Sequence, residues 1–169
     1  MSPSALLDTS FLITLINARR PHYETAKQFY RHMLQNDVPM YLSAIVAAEF
    51  GIKQPVAALP LRNFRILNFN VSHGQKAAEL WNALGTRDDG DARMIVRDDV
   101  KLLAQASHEN IGFILTEDAS TLYKYCERLR QAGTIQTRAL KMADGFDASA
   151  LREDGQKDWV GNVQGESDE

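Results

Sequence analysis

An α/β fold is what this sequence predicts: a mostly parallel central sheet with helices on both faces, a three-layer α/β/α sandwich. Three observations carry the prediction. Short apolar segments alternate along the chain with longer stretches of helical periodicity. The segment Phe113-Ile114-Leu115 is apolar without alternation, as in a strand buried on both faces of a parallel sheet. Two such segments run into a hydroxyl and a carboxylate, at Asp8-Thr9-Ser10 and at Thr116-Glu117-Asp118. In open α/β sheets that strand end is where ligands bind.

The first segment, Leu6-Leu7, reads as a strand that passes through Asp8, Thr9 and Ser10 into a short helix from Phe11 to Ala18. Each of those three polar residues is also a good helix N-cap. Arg19-Arg20-Pro21 breaks the helix, and Pro21 opens a second one, since proline is tolerated in a first turn. Tyr23, Ala26, Phe29, Tyr30 and Met33 follow helical spacing in it. Met40 to Ser43 is the second strand, and Ser43 caps a helix over 44–50 in which Glu49 is the lone acid. An unpaired carboxylate in apolar surroundings is costly, so Glu49 either faces solvent or has a partner. A third strand is expected over 62–71, then a helix from His73 to Leu84 closed by Gly85. The charge run over 86–91 is expected to face solvent. Residues 92–108 are helical, with Asp99 bordering the apolar face made by Leu102 and Leu103. Phe113 to Thr116 is the fourth strand, 120–132 a helix, and 135–142 an edge strand.

After Met142 the apolar signal collapses into glycines, acids and amides. This divides the chain into a domain over 1–142 and a mobile tail over 143–169, with Trp159 its one sticky residue. A chain of 169 residues fits one such domain with a substantial core. No apolar run approaches the roughly 20 residues needed to span a bilayer. The N-terminus has no basic region before its apolar segment, so a secretory signal is not expected. Cys126 is the single cysteine, which excludes an internal disulfide and fits a cytoplasmic location. The net charge of −3 argues against a strongly basic nucleic-acid coat, although clustered acids can offset basic residues elsewhere.

If the first and fourth strands are neighbours, Asp8 and Asp118 meet at one edge of the sheet, and helices can deliver Glu49 and Asp99 there. Four converging carboxylates raise each other's pKa and call for a hard divalent cation. Mg²⁺ or Mn²⁺ suits oxygen ligands. Two such ions about 4 Å apart form the clamp of many nucleases. Thr9, Ser10 and Thr116 are then supporting hydroxyls that orient carboxylates.

Asp8-Thr9-Ser10-Phe11-Leu12-Ile13, the Glu49 helix, Asp99-Val100-Lys101-Leu102-Leu103-Ala104 and Thr116-Glu117-Asp118 together resemble the four acidic motifs of PIN domains, in order and at compatible spacing over about residues 5–142. Asp98 and Glu117 compete for two of the positions. The Leu-Leu-Ala register after Asp99 and the Thr-x-Asp spacing favour Asp99 and Asp118. The resemblance implies an α/β/α sandwich and a metal-dependent ribonuclease, with Asp8, Glu49, Asp99 and Asp118 as catalytic, metal-binding acids. It also implies a kinship with VapC-type toxins, hence an RNA substrate, an antitoxin protein and a homodimer as expected partners.

Phosphodiester substrates need positive charge. Arg62, Arg65, Arg93 and Arg97 flank the acids in sequence and are the expected substrate-binding residues. The four histidines have no ligand spacing. Two rival readings stand beside the nuclease. One is phosphotransfer through Asp8 as covalent acceptor, weakened because Ser10 occupies the position where a second aspartate is wanted. The other is an inactive PIN-like scaffold that binds RNA or protein.

Overall fold

The computed structural model describes residues 3–152. Among them five strands form one sheet: β1 (Ala5–Leu7), β2 (Met40–Ser43), β3 (Arg65–Leu67), β4 (Phe113–Thr116) and β5 (Arg138–Lys141). Every neighbouring pair is parallel, in the order β3-β2-β1-β4-β5. The chain winds outward from β1 through β2 to β3, then returns past them to β4 and β5. Right-handed crossovers put α1 (Thr9–Leu15), α2 (Tyr23–Gln35) and α3 (Ala44–Lys53) on one face. They put α4 (Val71–Leu84), α5 (Arg93–His108) and α6 (Leu122–Gln131) on the other. The helix contacts agree: α1 packs on α2 and α3, while α4, α5 and α6 pack on one another. The winding reverses between β1 and β4, and their ends form the crevice where ligands of such sheets sit.

Both central strands are buried along their full length. Ala5, Leu6, Leu7 and Phe113 to Leu115 meet helices on both faces, each leucine contributing roughly 2 kcal/mol of apolar burial. In α2, the predicted spacing buries Ala26, Phe29 and Met33. Ser43 ends β2 and caps α3, accepting from Ile45 N at 3.1 Å. Its hydroxyl also donates to Gln105 Oε1 at 2.5 Å, so the starts of α3 and the end of α5 are tied through a buried bond. Thus the helix that carries Glu49 is held to the helix that carries Asp99.

Several boundaries differ from the sequence expectation, each for a local reason. β3 has three residues because a 3₁₀ turn over Leu61–Asn63 precedes it and Asn70 ends the extended run. Asn70 starts α4 two residues before the expected His73. Its side chain accepts from His73 N at 3.0 Å, and its own N–H donates to His73 Nδ1 at 3.1 Å. The charge run is not simply solvated. Asp88 and Asp91 are bound by Lys124 and Arg128 of α6, and Tyr125 donates to Asp91 at 2.6 Å. This fastens the loop that leads into α5.

The chain also stays on the domain past Met142. Two 3₁₀ turns follow, Met142–Asp144 and Ala148–Leu151. Phe146 sits edge-on to Phe29 with ring centroids 4.9 Å apart, and Leu151 is 2% exposed. Two apolar side chains five residues apart, Phe146 and Leu151, were enough to anchor a stretch that composition alone assigned to a tail. Trp159 lies outside the described residues. No helix among the described residues is long and apolar enough to cross a membrane.

Candidate functional site

Asp8 follows β1 directly, and its backbone N–H continues the sheet by donating to Leu115 O at 3.1 Å. It is the N-cap of α1 and 6% exposed. Three bonds fall on its Oδ2: from Ser10 N at 3.4 Å, Ser10 Oγ at 2.6 Å and Thr116 Oγ1 at 2.8 Å. The two hydroxyls in turn accept from the chain beyond β4, Ser10 Oγ from Glu117 N at 2.8 Å and Thr116 Oγ1 from Asp118 N at 2.9 Å. Each hydroxyl has one proton, and both are spent on Asp8. The 3.1 Å between Ser10 and Thr116 is therefore a contact rather than a bond. In this way the ends of β1 and β4 are stitched around one carboxylate.

Glu49, one turn before the end of α3, accepts from Thr9 Oγ1 at 2.5 Å and lies close enough for the charge of Asp8 to act on it. Asp99 arrives from α5 and is 9% exposed, and its Oδ2 is buried with no hydrogen-bond partner. Asp118 follows β4. Its Oδ1 accepts from Ser120 N, Ser120 Oγ and Thr121 N, and its Oδ2 from Thr121 Oγ1 at 2.5 Å.

The electrostatics show that the four acids sense one another. Burial pushes Asp99 up to about 8, the nearby Thr121 hydroxyl opposes the shift, and the charges of Asp8, Asp118 and Glu49 add to it. Burial also raises Asp8, against the bonds from Ser10 and Thr116. Glu49 is raised by burial and by Asp8 and Asp98, with Thr9 and Lys53 opposing. Burial acts upward on Asp118 as well, yet the hydrogen bonds from Thr121 and Ser120 outweigh it and hold its carboxyl below the usual range. A cluster in which three of four carboxyls resist ionisation, and one buried oxygen lacks any donor, fits a hard divalent cation. The donor set is all oxygen, as Mg²⁺ and Mn²⁺ prefer.

The competing acids have partners of their own. Asp98, about a third exposed, pairs with Lys101 at 2.7 Å, and its charge still reaches Glu49. Glu117 binds Arg20 at 3.0 Å and His22 at 3.1 Å. The expected substrate arginines are not gathered on the acids. Arg62 lies in the turn before β3, and Arg65 lies over the Tyr41 ring at 6.0 Å, at the amino end of an edge strand two strands from β1. Arg93 and Arg97 line a hollow between α4 and α5.

Sequence reasoning missed three features of the site. Ser120 and Thr121, which hold Asp118, follow it at the two- and three-residue spacing of a side-chain turn, a legible signal. Arg20 and His22 meet Glu117 only in the folded chain. Lys141 pairs in register with Thr116, stands 4.3 Å over the Tyr123 ring and pairs with Asp144 at 3.5 Å. That register is invisible in local pattern.

One other cluster has metal-ligand chemistry. Among the described residues, the ligand atoms of His73, His108 and Glu109 are the one group of three lying within 4.8 Å of one another. His73 Nδ1 accepts the Asn70 N–H, so Nε2 carries the ring proton and donates to Glu109 at 2.7 Å. Both nitrogens are occupied, and the cluster is explained as a cap for α4. Cys126 is buried, and burial pushes its thiol up to about 12, which leaves no thiolate nucleophile at neutral pH.

Comparison with known proteins adds to this geometry. A family model described as PIN domain matches residues 5–128. No curated protein sequence matches the chain. Among solved structures, FitAcB from Neisseria gonorrhoeae is 19% identical, with a TM-score of 0.58 over 82% of this chain and 98% of that one. VapBC2 from Rickettsia felis, bound to a DNA fragment of its promoter, is 16% identical, with a TM-score of 0.55 over 80% and 97%. VapC20 of Mycobacterium tuberculosis, a sarcin-ricin loop cleaving toxin, is 20% identical, with a TM-score of 0.51 over 80% and 99%. At such identities these likenesses bear on fold.

Proposed function

The chain belongs to the PIN domain family, and we propose that it is a metal-dependent endoribonuclease that hydrolyses RNA phosphodiester bonds. The observation that carries this reading is the orphaned, buried Asp99 Oδ2 amid Asp8, Glu49 and Asp118. Those four acids would hold Mg²⁺ or Mn²⁺. When bound, such an ion supplies Lewis acidity and lowers the pKa of water for attack on a phosphodiester.

The chain's own residues do the rest. Ser10 and Thr116 occupy Asp8 Oδ2 and leave Oδ1 as its open oxygen. Thr9 fixes the direction of Glu49. Ser120 and Thr121 keep Asp118 ionised. Burial favours the protonated form of Asp99, so an ion bound there would displace that proton to solvent, and cation affinity would climb with pH up to about 8.

We further place the chain as the toxin of a toxin-antitoxin pair, with an antitoxin and a second copy as partners. The exposed apolar rim of the site supports a protein partner. Ile52 lies one turn beyond Glu49 and is 85% exposed, while Met94 and Ile95, one turn before Asp99, are 73% and 51% exposed. The decisive experiment is Asp8→Asn. Asparagine caps helices as well as aspartate, so the fold persists while the charge is lost. RNA cleavage should drop at least about a hundredfold, the scale of losing a main source of transition-state stabilisation. Unchanged cleavage, with circular dichroism showing the native fold, would falsify the assignment.

A further inference from the structure

Trp81 stands between α4 and α5 in the wall of two hollows. One, of about 270 Å³, is lined by Ala77, Arg93, Arg97, Val100 and Lys101. The other is a narrow crevice that Trp81 shares with Arg87. Arg93 lies over the indole with its guanidinium carbon 6.0 Å from the ring centroid. Arg93, Arg97 and Lys101 fall at i, i+4 and i+8, one stripe of α5. Asp99 lies two residues beyond Arg97, roughly 200° round the helix. The same helix therefore offers an acid to the carboxylate cluster on one face and three cations to the hollow on the other. The two faces are joined: Lys101 holds Asp98, whose charge acts on Glu49.

We propose that this hollow is a second RNA subsite, in which an unpaired base away from the scissile bond stacks on Trp81 while its flanking phosphates meet Arg93 and Arg97. The inference rests on the nuclease reading and deepens it, because it commits the substrate to a single-stranded segment. Trp81 is partly buried against the core, and the side of its indole that lines the hollow, beside the exposed Arg93 and Arg97, matches a base between phosphates. A duplex hides its base faces, whereas single-stranded loops and ends present them. An acidic protein segment matches the cations but has no use for the aromatic face.

The test uses the full chain carrying Asp8→Asn to silence cleavage and Trp159→Phe so that Trp81 is the sole indole. An unstructured, end-labelled oligouridylate is the probe. Indole emission should be quenched as RNA binds, and Trp81→Ala should weaken RNA affinity by about 5- to 140-fold, the range for one lost stacked base. Trp81→Phe should keep most of that affinity, which separates stacking from a folding defect. Arg93→Gln should flatten the salt dependence of binding. Equal affinity of Trp81→Ala and its parent, or emission unmoved by RNA, overturns the subsite. Quenching by polyglutamate as strong as by RNA overturns it too and points to an acidic protein instead. If the parent chain with Asp8 intact cleaves RNA while Trp81→Ala binds normally, this inference alone falls. If Trp81 responds as expected but the parent never cleaves, the nuclease reading alone falls.

Discussion

At the scale of single residues, Asp99 holds most of the tension in the site. Its folded pKa, about 8, stands above the ordinary 3.8, so the folded chain binds that proton more tightly than the unfolded chain does. Without a cation, stability therefore falls as pH rises from about 4 to about 8 and levels off above that. Asp99→Asn removes the slope. At pH 8 and free of metal, this variant should melt several degrees above its parent, on a scale of about 2–4 °C per kcal/mol for a chain of this size. At pH 4 the two should melt together. Added Mn²⁺ should raise the melting temperature of the parent and leave Asp99→Asn nearly unmoved; an equal gain in both would mean that Asp99 takes no part in holding the ion. The four acids stood out in the sequence because each adjoins an apolar strand or an apolar helix face. Helical register put Asp99, not Asp98, beside that face, and Asp99 is the more buried of the two. What could not be read was which hydroxyls serve which oxygen, since Thr9 reaches across to Glu49 over 40 positions of sequence.

At the scale of elements, strands and helices followed their periodicity, and the misplacements are capping effects. Asn70 and the turn behind Pro60 trimmed β3 from both ends, while Ser43 was readable as the cap of α3. Its second role was not readable. The bond to Gln105 depends on α5 crossing behind β2, a long-range fact with no local signature. That bond holds α3 and α5 in the relation the acids require. Ser43→Ala leaves Gln105 Oε1 buried without its donor and α3 without a cap. It should cost about 2–3 kcal/mol in urea denaturation, combining the loss of a buried bond with a cap of about 1 kcal/mol. Ser43→Thr keeps the hydroxyl and should recover most of it. A neutral Ser43→Ala would show that the two helices are positioned by apolar packing alone.

For the molecule as a whole, the winding order decides which strand ends meet, and alternation of strand and helix predicted the meeting of β1 with β4. The described domain reaches further than composition suggested, to Leu151. Charge is distributed unevenly about that limit. Residues 153–169 carry six acids and one lysine, which leaves +2 on the rest of a chain whose total is −3. A version ending at Arg152 should bind RNA several-fold more tightly at low salt, and the gap should close as salt screens it. Equal binding at low salt would show that those acids stand too far from the RNA path to repel it. Because the cap that Asp8 gives α1 needs only an oxygen and the proposed chemistry needs the charge, one amide in place of one acid would part the two, leaving a chain that folds and does not cut.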